Sequence, residues 1–238
     1  MPGYIEKALQ RFKLPSPYKQ QHSPHAHINS KYGAKVQFTA PPDTSPRLSP
    51  KETTTIQEVI GTLLYYARAV DLTLHVAIVT LGSVQTKPTT NTALDIDRLL
   101  RYVASHSDAT VRYHASDMVL YIHSDASYLS ETEARSRAGG YFFLANNTSP
   151  PAAPNPPING AIHVYSTIIN NVLSSAAEAE LAALFLNAKE SVSIRTTLGE
   201  LGHPQPSTPI QTDNKCAAGI ENDTVKQKYS KAIDMRFY

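Results

Sequence analysis

From Ser49 onward the apolar residues fall at helical spacing. Ile56, Val59, Ile60, Leu63, Leu64 and Ala67 lie on one face of a helix. Its start is written in Ser49-Pro50-Lys51-Glu52, with a serine N-cap, proline at the first helical position and glutamate at the third. Asp71 opens a second predicted helix through Val76, Thr80, Leu81 and Val84 that stops near Lys87-Pro88. Asn91 opens a third, with Ile96, Leu99, Leu100 and Val103 on one face. Three short amphipathic helices with brief connections predict a small helical bundle, with Arg98 and Arg101 on or near its exposed side.

The period then changes from helical to alternating. Met118 to Asp125 reads as a strand ending in a polar turn, and Gly140 to Leu144 and Ala161 to Tyr165 as two more. The proline-rich stretch Thr148 to Pro157 between the last two cannot enter a sheet interior and predicts a hairpin loop. Ser174 and Ser175 cap a long helix with Ala177, Leu181, Leu184 and Ala188 as its buried stripe. After the breaks at Gly202, Pro204, Pro206 and Pro209, Ile210 to Asp213 reads as a short strand and Asn214 to Glu221 as a helix. The predicted order is strand, strand, strand, helix, strand, helix, an α/β arrangement.

Before Ser49 the pattern is lost. Residues 14 to 50 hold seven of the 17 prolines, and residues 1–48 read as a proline-rich linker. His22, His25 and His27 crowd there without a cysteine or acid at ligand spacing, so they read as polar loop. The expected organisation is a linker (1–48), a helical segment (49–116) and an α/β domain (117–238).

Composition changes this picture little. At 41% hydrophobic and 18% charged, the chain lies in the range of globular proteins. No apolar run approaches the length needed to cross a bilayer, so no membrane association is expected. The single cysteine, Cys216, excludes an internal disulfide framework and fits a reducing, intracellular setting. Up to Ser116 there are 13 basic and 8 acidic residues; from Asp117 on there are 9 basic and 12 acidic. That division suits a surface gripping a polyanion beside a carboxylate-rich metal site, and equally two ordinary solvated surfaces.

Candidate chemistry rests on three carboxylates. Asp125 ends the first strand, Asp213 ends the fourth, and Glu180 rides the helix between the third and fourth. Sites in open α/β sheets form beyond strand ends, so the three can converge. Clustered carboxylates call for cations to offset their repulsion, and oxygen-only ligands suit Mg²⁺ or Mn²⁺ rather than zinc.

Four segments carry a family resemblance: Asp125-Ala-Ser-Tyr128, Ser174-Ser-Ala-Ala-Glu-Ala-Glu-Leu181, Thr212-Asp-Asn214 and Ser230-Lys-Ala-Ile-Asp-Met-Arg-Phe237. In this order they resemble the ribonuclease H domain of Ty1/copia-type retrotransposon polyproteins. Ile60-Gly-Thr-Leu-Leu-Tyr-Tyr66 and Leu99-Leu-Arg-Tyr102 are similar to helices that those polyproteins place after the polymerase palm. The resemblance covers roughly residues 50 to 238. It implies a ribonuclease H-like mixed sheet with helices, preceded by a small α-helical thumb or connection segment. It also implies endonucleolytic cleavage of the RNA strand of RNA–DNA hybrids, with Asp125, Glu180 and Asp213 as catalytic metal ligands for Mg²⁺ or Mn²⁺.

Glu178 competes with Glu180 for that role. The family's Ala-Glu-apolar pattern matches Ala179-Glu180-Leu181, and Glu180 shares a face with Ala177 and Leu184, whereas Glu178 is expected on the other flank, toward solvent. The family's fourth aspartate is expected on a helix after a fifth strand. The chain ends at Tyr238 before either, leaving Asp234 as the late metal-ligand candidate, and Ala232 stands where many of these elements carry histidine. With no Tyr-x-Asp-Asp in the sequence, a polymerase reading has no metal-binding aspartate pair. Implied partners are an RNA–DNA hybrid and other parts of the polyprotein, in the cytoplasm, a virus-like particle or the nucleus. The alternative reading is a catalytically inactive retrotransposon remnant. An integrase or transposase would place its glutamate last, on a late helix, and fits less well.

Overall fold

The computed structural model describes residues 1, 3–26, 43–131, 134–147 and 156–225. They form two compact units, one helical and ending at Val111, the other mixed α/β and starting at Arg112. Among the described residues no helix is long and apolar enough to cross a membrane.

The helical unit holds α1 (Tyr4–Arg11), α2 (Pro50–Ala69), a 3-10 turn (Leu72–Leu74), α3 (His75–Val84) and α4 (Thr90–Ser105). Helix α2 starts as its sequence predicts: Ser49 accepts from the Glu52 N–H, and the Glu52 carboxylate accepts from the Ser49 N–H. Its buried face is Ile56, Val59, Ile60, Leu63, Tyr66 and Ala67. The next stretch differs in phase from the expectation. Asp71 accepts from the Thr73 N–H and caps a tight 3-10 turn, which rotates the following helix. Ala77, Ile78 and Leu81 therefore face the core, while Val76 and Val84 are exposed. Helix α4 begins one residue before Asn91, on a box between Thr89 and Thr92; the Asn91 carboxamide instead donates to Asp43.

The stretch expected to be linker contains a packed helix. Ile5 and Ala8 of α1 are buried, and the Tyr4 hydroxyl donates to the Thr62 carbonyl at 2.9 Å. Further on, the Tyr18 hydroxyl donates to the Ala104 carbonyl and the Gln21 N–H to the Ser105 hydroxyl, so this segment is fastened along α4. An eight-residue helix is too short to persist in water, and tertiary packing supplies what propensity cannot. Arg98 and Arg101 are engaged within the unit, by Gln21 and Asp97. His27 lies outside the described residues.

The second unit contains β1 (Val119–Ser127), β2 (Ser136–Ala145), β3 (Ala161–Ile169), α5 (Ala176–Glu200), β4 (Ile210–Gln211) and α6 (Lys215–Glu221). The sheet order is β3-β2-β1-β4, antiparallel across the first three strands and parallel between β1 and β4. Strands β2 and β3 run longer than predicted because their ladder continues to Ser136 opposite Ile169. Most of the predicted hairpin loop between them lies outside the described residues.

Both sheet faces are buried around β1. Leu120 and Ile122 pack with Phe142, Leu144 and Leu198, while Val119 and Tyr121 pack with Phe143 and Ala145. Helix α5 starts at the predicted Ser175 cap, but its buried surface is broader than one stripe. Ala179, Ala182 and Ala183 close against Ala138, and Leu181 and Leu184 pack against Ala217 of α6. The first half of the helix is thus covered on two sides, leaving Ala177 and Ala188 at the margins. Alanines on the sheet side permit a close approach of helix to strand, which places the helix-borne carboxylate near the strand ends.

Candidate metal centre

The β1–β4 register aligns two of the acids. His123 pairs with Gln211 in a parallel ladder, so Asp125 and Asp213 each lie two residues beyond the same rung; Asp213 follows the end of β4, whereas Asp125, expected to end its strand, lies within β1, which continues to Ser127. Glu180 projects from the second turn of α5. One carboxylate oxygen from each of Asp125, Glu180 and Asp213 lies within 4.8 Å of the other two. The three residues singled out in the sequence therefore come together. Asp234 and its motif, Ser230 to Phe237, lie outside the described residues.

Their surroundings differ. Asp125 and Asp213 are exposed, whereas Glu180 is buried at 7% exposure. Asp125 accepts from the Ala126 N–H at 2.9 Å. The Glu180 carboxylate accepts a long hydrogen bond from the Thr212 hydroxyl (3.4 Å), and Thr212 in turn accepts from the Asn214 N–H (3.2 Å). Burial, then the charges of Asp125 and Asp213, push Glu180 up to about 7, against the opposing pull of the Ala126 N–H and the Thr212 hydroxyl. A buried carboxylate facing two others is held at the edge of ionisation.

Glu178 is buried too, contrary to the expectation that it faces solvent. It accepts from the Ser174 N–H and hydroxyl at 2.6 and 2.7 Å, tying down the chain that enters α5. Its burial comes from this N-terminal fastening rather than from the acidic cluster. Asn187 and Ser124 were not singled out in the sequence. The Asn187 Nδ2 donates to the Ser124 hydroxyl and the Gly139 carbonyl, both at 2.9 Å. Its spacing was the available signal: Asn187 lies three residues after Leu184, beside the predicted stripe, and a buried carboxamide requires partners.

The donor set suits a hard divalent cation. It offers three carboxylate oxygens with no nitrogen or sulfur ligand, a composition that favours Mg²⁺ or Mn²⁺ over zinc. A cation would also offset the repulsion that adds to burial in raising Glu180.

No family model and no solved structure matches the chain. Among curated proteins, 140 residues (59% of the chain) are 25% identical to the retrovirus-related Pol polyprotein from transposon TNT 1-94 of Nicotiana tabacum. The match spans 10% of that polyprotein, so the chain is similar to one segment of it. The relation that this sequence similarity supports is with a retrotransposon polyprotein.

Proposed function

We propose that the α/β unit is a ribonuclease H-type nuclease that cuts the RNA strand of RNA–DNA hybrids as part of a copia-type retrotransposon polyprotein. The observation that carries this reading is the convergence of Asp125, Glu180 and Asp213, with ligand oxygens within 4.8 Å of one another. Mixed α/β architecture and similarity to a retrotransposon Pol polyprotein support it. The helical unit is then the thumb or connection segment that precedes the nuclease, and the setting is intracellular.

In this reading Asp125, Glu180 and Asp213 hold Mg²⁺ or Mn²⁺. Bound divalent ions supply Lewis acidity for an in-line displacement at phosphorus. The chain's own contribution is placement. Asp125 and Asp213, exposed near the strand ends, present the solvent-facing side of the site to a phosphodiester. Glu180, buried behind them, anchors the site to α5. Hybrid recognition would rest on backbone shape, phosphates and 2′-hydroxyls rather than on base edges.

The test is cleavage of a labelled RNA–DNA hybrid by the purified protein with Mg²⁺ or Mn²⁺, beside single-stranded RNA, duplex DNA and the Asp125→Asn variant. Metal-dependent cutting of the RNA strand that the variant loses is the expected result. Equal inactivity of wild type and variant overturns the nuclease reading and leaves the inactive remnant in its place.

A further inference from the structure

Asn187 has no exposed surface, and its carboxamide lies where the acid-bearing helix meets the acid-bearing strand. One of its partners, Ser124, immediately precedes Asp125; the other, the Gly139 carbonyl, belongs to the residue paired with Asp125 across β1 and β2. The Gly139 carbonyl needs a donor, which assigns the amide nitrogen to this side. The amide oxygen presses on Gly140, the residue paired with Ser124, where an added Cβ would lie 1.9 Å away. Glycine at 140 is therefore required by the close approach of Asn187 rather than by a turn.

Asn187 also lies seven residues after Glu180, two helical turns along the same face. The other contacts between α5 and the sheet are mainly apolar, made by alanine, leucine and isoleucine side chains and the rings of Phe142 and Tyr165, whose attraction is non-directional; the polar contacts of His163 with Glu190 (3.9 Å) and of Thr212 with Glu180 (3.4 Å) are long. Such contacts tolerate sliding of helix over strand. A carboxamide bonded to two neighbouring strands does not, because its hydrogen bonds weaken steeply off their preferred geometry. An apolar side chain could fill the same space; what the amide adds is a fixed register.

We infer, on the reading of the three carboxylates as a metal site, that Asn187 is a positioning residue whose hydrogen bonds to Ser124 and Gly139 set the Glu180–Asp125 separation.

The test uses the full chain and two sets of substitutions. Asn187→Ala combined with Gly140→Ala puts a methyl where the amide oxygen sat, with the Phe142 ring edge, 2.9 Å from that methyl, left to turn aside. Ser124→Ala removes one of the two hydrogen bonds and leaves the packing in place; it serves if the double variant does not fold. Two measurements are made: metal-free crystal structures, and Mn²⁺ binding by calorimetry. In the double variant the Asp125–Glu180 oxygen separation should exceed the 4.8 Å limit of the wild type, and the Mn²⁺ dissociation constant should rise about tenfold. Ser124→Ala should move both in the same direction by less. An unchanged separation and an unchanged dissociation constant overturn the inference. If wild type and Asp125→Asn bind Mn²⁺ alike, the metal-site reading fails by itself, and the crystallographic separation alone decides the role of Asn187.

Discussion

Glu178 accepts two short hydrogen bonds from Ser174, 2.6 Å from its N–H and 2.7 Å from its hydroxyl. This separates the work of two glutamates that stand two residues apart. Glu178→Gln should cost stability, about 0.5–2 kcal/mol by analogy with lost helix caps, and leave metal binding intact. Glu180→Gln should do the opposite, removing the metal response while relieving repulsion in the metal-free protein. Urea unfolding with and without Mg²⁺ checks both.

The raised Glu180 implies a specific pH dependence in the absence of metal. Its carboxyl moves from 4.5 to about 7 on folding, so the folded state holds the proton more tightly than the unfolded chain does. The stabilisation from that proton is complete below about 4.5, declines as pH rises between the two values and is gone above about 7. With EDTA present, the melting temperature of wild type relative to Glu180→Gln should therefore rise as the pH is lowered from 8 to 5. A constant difference across that range would show that Glu180 is not held near neutrality.

Divalent cations should raise the melting temperature, because an ion that binds only the folded state stabilises it by mass action. At one hundred times its dissociation constant the gain is about 2.7 kcal/mol. Asp125→Asn should forfeit most of it, since one of three charged ligands is lost. Calorimetric melts over a series of Mg²⁺ and Mn²⁺ concentrations measure this, and identical curves for the two proteins would exclude a shared site.

Helix α1 offers a test in the other unit. Ile5 is 2% exposed in a core otherwise built from α2, the 3-10 turn, α3 and α4. Ile5→Ala should cost about 2–4 kcal/mol by loss of buried area and creation of a cavity. The same change at exposed Leu94 should cost far less. Denaturant midpoints for the two variants compare them, and equal losses would mean that α1 is not docked.

What the sequence by itself determined about this protein is what local physics controls. The Ser49–Glu52 box started α2 and the Ser175 cap started α5, since capping groups lie within a few residues of the backbone they satisfy. The three acids were legible because each falls near the end of a recognisable strand or on the helix between two of them. What only the tertiary structure decided depends on partners far along the chain. Helix α1 exists because α2 and α4 receive it, and two buried residues make too faint a periodic signal to read alone. Glu178 is buried through its contact with Ser174, which a helical wheel does not represent. Asn187 meets Ser124 across 63 positions, and Gly140 is spared a side chain because that amide arrives there. Spacing can place a carboxylate on a face; the separation between two faces is set only when helix and sheet pack.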